Sequence, residues 1–168
     1  MAVVDSAEAG LRAVARGATM IQLRAPNLTA RQIEHEALGL RGNAPVPILV
    51  SSRCDIALAL GLAGVNLPES DIAVRDARAL LGGRTVSRSV HTIAAAVEAE
   101  KDGADFVIFG PVWPTPSHPG RTAQGLEALK SVADACTIPV IAIGGVTADR
   151  IAQVNAVCAG HAAISLFQ

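Results

Sequence analysis

Aromatic residues make up only 2% of the 168 residues, tyrosine is absent, and a single tryptophan, Trp113, accompanies three phenylalanines. A chain that is 51% apolar with so few rings builds its core from Ala, Val, Leu and Ile, the side chains of buried parallel strands and Ala-rich helices. Charge is scarce as well. The 17% charged content, against about 25% in an average soluble domain, excludes a disordered chain. The net charge is -1, so no field draws nucleic acid or an anionic membrane toward the chain. No apolar run approaches the roughly 18 residues of a membrane span. The opening segment carries Asp5 and Glu8 and lacks a basic region, so no secretory leader is expected. Cys54, Cys136 and Cys158 are odd in number and form no C-x-x-C pair, so neither a zinc site nor a disulfide framework is indicated. They are expected to be small core residues in a reducing cytoplasm. The length suits one domain, 1–168.

What the sequence does contain is alternation. Short apolar β-rich runs occur at 2–4, 20–23, 48–50, 64–67, 85–89, 106–109, 140–143 and 162–166. Between them, helical periodicity covers 6–16, 29–40, 55–60, 73–81, 93–101, 126–136 and 149–156. Ser6, Thr29 and Thr147 stand where helix N-caps belong, and Gly17, Gly61, Gly82 and Gly103 follow helix ends. Eight strands and seven helices at a roughly 20-residue spacing demand a parallel sheet, open or closed. The strand count predicts an α/β fold of the (β/α)8 TIM-barrel type, compact and lacking the final helix. The seam between the first and last strands is then expected to be short of cover, which a partner subunit would supply. A homo-oligomer is therefore expected.

Barrel sites lie at the C-terminal ends of the strands. Polar residues gather there: Gln22 and Arg24 at the second strand, Ser51-Ser52-Arg53 after the third, Asn66 and Asp71 at the fourth, Ser89 and His91 at the fifth, and Ser165 at the eighth. After the sixth strand, the loop 110–124 is long for a βα connection, stiffened by prolines, and carries Thr115, Ser117, His118 and Arg121. Gly144-Gly145 follow the seventh strand, where backbone N–H groups can approach a phosphate with help from the next helix. His91 and His118 are the acid–base candidates; His35 belongs on a solvated helix face, and His161, before the last strand, is structural. Asp71 either holds Mg²⁺ through water and a phosphate or caps the helix beginning at Ala73.

In this order the residues resemble the family of thiamine-phosphate synthase and its relative TenI, the thiazole tautomerase. The matching pieces are Gln22-Leu-Arg24, Gly64-Val-Asn-Leu-Pro-Glu-Ser-Asp71, Ser89-Val-His91, the long piece Gly103-Ala-Asp-Phe-Val-Ile-Phe-Gly-Pro-Val-Trp-Pro-Thr-Pro-Ser-His-Pro-Gly120, and Ile138-Pro-Val-Ile-Ala-Ile-Gly-Gly-Val146. The resemblance implies an oligomeric barrel that binds a small thiazole phosphate or thiamine phosphate. A synthase couples hydroxymethylpyrimidine diphosphate to thiazole phosphate with Mg²⁺, and Gln22, Arg24, Asp71, Ser89, Thr115 and Ser117 match its diphosphate, metal or substrate contacts. Three positions depart from the synthase pattern: Pro26 replaces a lysine, Ser51-Ser52 an Asn-Asp pair, and His118 the lysine of the long loop. A tautomerase needs only a phosphate grip, at Gly144, Gly145 and the last strand, and one base. The histidine that follows Phe-Gly in TenI-like proteins is Pro111 here, while His91 matches the other histidine of that family and His118 is a new one nearby. The departures favour a TenI-like tautomerase with no cofactor, the alternatives being a Mg²⁺-dependent synthase or a non-catalytic phosphate-ligand-binding regulator.

Overall fold

The computed structural model describes residues 1–116, 120 and 122–167. Eight parallel strands follow one another in sequence order: β1 (Ala2–Val4), β2 (Ile21–Leu23), β3 (Ile48–Ser51), β4 (Gly64–Leu67), β5 (Thr85–Val90), β6 (Phe106–Phe109), β7 (Val140–Ile143) and β8 (Gly160–Ala162). One bridge, Ala2 to Ala163, closes the barrel. At the same seam Val3 N–H donates to Ala163 O at 3.0 Å and Ala163 N–H to Met1 O at 3.1 Å.

Period-two alternation sorts each strand. Ile21 and Leu23, Val65 and Leu67, and Val107 and Phe109 join the core packed against the helices. The residues between them, including Gln22, Asn66 and Ile108, face the barrel interior. The outer helices are α1 (Ala7–Ala15), α2 (Ala30–Asn43), α3 (Cys54–Ala59), α4 (Val74–Leu81), α5 (Ile93–Lys101), α6 (Gly125–Ala135) and α7 (Ile151–Asn155). Their starts follow local chemistry. Ser6 Oγ accepts from Ala9 N–H, and Thr29 with Gln32 forms a reciprocal capping box on α2. No described helix is long and apolar enough to cross a membrane.

The C-terminal end departs from expectation. The last strand is 160–162 rather than 162–166, because Ala163 leaves the ladder to pair with Ala2 and residues Ser165–Phe167 turn into a 3-10 helix. His161 is thus inside β8, not before it. The helix expected over 149–156 is split into a 3-10 turn, Ala148–Arg150, and the five residues of α7. Phe167 packs on Ala2, Ala13 and Ala18 and covers part of the seam. Beside it lies a groove of about 900 Å³ bordered by Val4, Ala9 and Ala13.

The three cysteines are free. Cys54 is buried, Cys136 and Cys158 are half-buried, and burial pushes each thiol upward.

Candidate functional site

The strand ends build a polar floor. Gln22 Nε2 donates to Ser51 Oγ at 2.8 Å, across β2 and β3. Asn66 Nδ2 donates to Ser89 Oγ at 3.0 Å, and Asn66 Oδ1 accepts from Ser87 Oγ at 3.0 Å, across β4 and β5. Ser89 Oγ therefore already accepts one hydrogen bond, which leaves its own O–H to donate into the mouth. Asn66 is 2% exposed and bonded through both its amide nitrogen and its amide oxygen, so it fixes Ser89 in place.

Above this floor is a pocket of about 160 Å³ lined by Gln22, Arg24, Asn66, Ser89, Thr115 and Gly144, with Glu69 and His91 at its side. Five of the expected site residues, Gln22, Arg24, Ser89, Thr115 and Gly144, thus meet with His91 in one place. Arg24 is exposed, and among the described residues no carboxylate lies within ion-pair distance of it. It can take a phosphate oxygen in a charge-assisted bond. The larger seam groove shares Val3, Arg24 and Ile164 with this pocket. The small pocket is where the polar groups converge; the groove adds room along Arg24.

His91 is the only histidine among the described residues that line the pocket. Its Nδ1 lies 2.5 Å from Gly110 O, and since a carbonyl only accepts, Nδ1 carries the proton. Nε2 faces Glu69 Oε2 at 3.7 Å. Gln124 Nε2 donates to His91 O at 2.9 Å, so the end of the long loop is fastened to the same segment. The loop's first residues extend the pairing of β6 with β7, with Val112 N–H donating to Ile143 O and Trp113 N–H to Gly144 O.

Other expected residues stand elsewhere. Gly145 is not in the pocket wall. Its φ is +65°, and an added Cβ would lie 2.6 Å from Trp113 Cβ, so packing under the long loop requires glycine there. The helix expected to aid phosphate binding is only the short α7, preceded by its 3-10 turn. Among the described residues none accepts from Gly145 or Val146 N–H, which leaves those donors available. Ser165 is exposed on the final 3-10 turn, outside the pocket lining, because β8 ends earlier than its apolar run suggests. Ser117, His118 and Arg121 lie outside the described residues. His35 is exposed, as expected.

Asp71 does not cap α4, whose N-cap residue is Ala73 without a side-chain bond. One carboxylate oxygen of Asp71 accepts from Ile72 N–H at 2.8 Å. Burial first, and the negative charge of Asp71 after it, push the Cys54 thiol upward at the start of α3, which follows the turn after β3. In that turn Ser52 has φ +64°, a conformation Asn and Asp adopt more readily than Ser. Sequence reasoning passed over Glu69. Its signal was its place two residues after β4, at the mouth.

The sequence pattern of the family described as Thiamine monophosphate synthase matches residues 3–167. The chain belongs to that family. It is 37% identical over 162 residues to the thiamine-phosphate synthase of Chloroflexus aurantiacus, a match covering 88% of this chain and 75% of that protein. The synthase of Caldanaerobacter subterraneus is 35% identical, covering 85% of this chain and 69% of its own length. A solved thiamine phosphate pyrophosphorylase from Pyrococcus furiosus superposes with a TM-score of 0.89 at 32% identity, covering 98% of this chain and 84% of that one. These relatives carry synthase names, which back the synthase alternative better than the TenI-like expectation. Pro111, at the position where the resemblance places a histidine in TenI-like proteins, is buried in the pocket wall, and His91 is the histidine that the described lining retains.

Proposed function

We propose that this chain is a thiamine-phosphate synthase acting as a single barrel domain, joining hydroxymethylpyrimidine diphosphate to thiazole phosphate. The observation that supports this most is the similarity to synthases along the barrel, together with the meeting of Gln22, Arg24, Ser89, Thr115 and Gly144 in one pocket. The electron bookkeeping suits these residues. The thiazole nitrogen's lone pair forms the C–N bond to the pyrimidine methylene carbon, and the C–O bond to diphosphate breaks with its pair leaving on diphosphate. The ring nitrogen becomes cationic and no proton is transferred. A base is therefore dispensable, which is why Pro111 in place of a histidine is tolerated.

Arg24 binds departing or resident phosphate oxygens, and the Ser89 hydroxyl, held by Asn66, donates to another. The pocket alone is small for two heteroaromatic substrates, since ligand sites usually measure about 300 Å³ or more. The groove that shares Arg24 supplies the remaining room. Mg²⁺ arriving with a diphosphate takes one or two carboxylates, its other positions being phosphate and water. Asp71, one carboxylate oxygen of which accepts from Ile72 N–H, stands in the loop after β4, outside the pocket lining, and is the residue that would hold the ion. When bound, the ion neutralises charge on the leaving diphosphate.

The test is a phosphorus NMR time course with both substrates and Mg²⁺, alongside a second tube holding thiazole carboxylate phosphate. Thiamine phosphate and pyrophosphate should accumulate in the first. Isomerisation in the second tube alone would overturn the synthase reading in favour of a tautomerase. Ligand-induced shifts without turnover in either tube would make the protein a binder instead.

A further inference from the structure

We infer that Glu69 stabilises the positive charge that forms on the ligand's ring, so that the pocket prefers a phosphate ester carrying a cationic heteroaromatic ring over a neutral one. The inference rests on the coupling reaction proposed above. Glu69 is the only carboxylate among the described residues lining the pocket. Its side chain is 40% exposed and accepts no hydrogen bond from a described residue. The nearest ionisable group is His91, with Nε2 at 3.7 Å, beyond hydrogen-bond length and an ion-pair partner only when the ring carries both protons.

Some carboxylates elsewhere in the protein are already engaged. Asp105 Oδ2 accepts from Arg78 at 2.6 Å and from Val86 N–H at 2.7 Å, while Glu36 accepts from Ala7 N–H at 2.6 Å. Glu69 accepts no such bond, as is also true among the described residues of Asp5, Glu34, Glu98 and Glu127, but of these it alone lines the pocket. Its backbone, by contrast, is anchored. The Arg88 guanidinium donates to Glu69 O and Ile72 O, each at 2.7 Å, and so fixes the loop that presents the carboxylate. Arg24 lines the same pocket, so one cation and one anion are offered to a single ligand. A phosphate ester whose ring nitrogen becomes positive as its C–N bond forms has the matching pair of charges. A fixed anion beside that nitrogen lowers the energy of the charged product and of the transition state leading to it.

The experiment is isothermal titration, without Mg²⁺, of thiamine phosphate (cationic ring) and thiazole phosphate (neutral ring) on wild type, Glu69→Gln and Glu69→Asp. Glu69→Gln should weaken thiamine phosphate about tenfold and leave thiazole phosphate within about twofold, for a charge contact in a partly exposed cleft. Glu69→Asp should keep the discrimination. In the coupling assay, Glu69→Gln should lower kcat with the KM for thiazole phosphate unchanged. Equal loss for both ligands, or loss for neither, overturns the inference. A variant whose sole change is a higher Mg²⁺ requirement makes Glu69 a metal ligand and overturns it too. A wild type that binds neither ligand overturns the proposed function along with it, whereas coupling activity with no ring discrimination overturns this inference alone.

Discussion

Replacing Gly144 by alanine tests the close approach of β7 to the long loop, on which the pocket depends. Gly144 has φ +94°, and an added Cβ would lie 2.6 Å from Pro111 Cβ and 2.7 Å from Pro111 Cα. The backbone conformation costs an L-residue about 1–2 kcal/mol. The overlap, against a residue that is itself buried, adds about 1–3 kcal/mol of overpacking. The total, about 2–5 kcal/mol, is a large share of the about 5–15 kcal/mol that holds a typical domain together. Gly17→Ala is the internal control. Gly17 has φ +90° with nothing within 4 Å of the built Cβ, so it carries the conformational cost alone. Urea unfolding of the two variants should therefore differ by the overlap term, and Gly144→Ala should also weaken phosphate-ligand binding by displacing Pro111. Equal destabilisation of both variants, with ligand affinity intact in Gly144→Ala, would refute the reasoning.

Arg24→Ala should weaken thiazole phosphate about 10-fold or more in titration and leave the unfolding midpoint unchanged, since its charge-assisted bond would be made only to ligand. Thr29→Ala removes the capping box of α2 and should cost about 1 kcal/mol in urea unfolding. His161 is lowered by burial first and by the nearby amino terminus second, so the folded state prefers its neutral ring. That contribution is fully present above the unfolded value of about 6.5 and is lost as pH falls through the lower folded one. Stability measured by urea unfolding should drop over that acid range, and His161→Phe should flatten the profile there.

The repeating strands and helices were legible because each is specified locally. Apolar runs such as 64–67 and 106–109 coincide with β4 and β6, and Ser6 and Thr29 cap the helices they precede. The last strand was misplaced because its residues, Gly160-His161-Ala162, carry a weaker apolar signal than the run 162–166 that follows. Pairing with Ile141–Ile143 of β7 selects residues 160–162. Glu69 escaped notice for a related reason. Nothing in its neighbours' chemistry says that the Arg88 side chain will pin its loop beside His91.

By itself, then, the sequence determined the number and order of elements, the rim on which the polar residues gather, and the family, since these follow from period, capping and local motifs. Tertiary structure alone decided which rim residues share a pocket. Gly144 lines it while Gly145, one residue on, lies under Trp113, and Ser165 turns away once the barrel closes. Such choices depend on the packing of loops from different strands, where contacts between residues far apart in sequence outweigh every local preference.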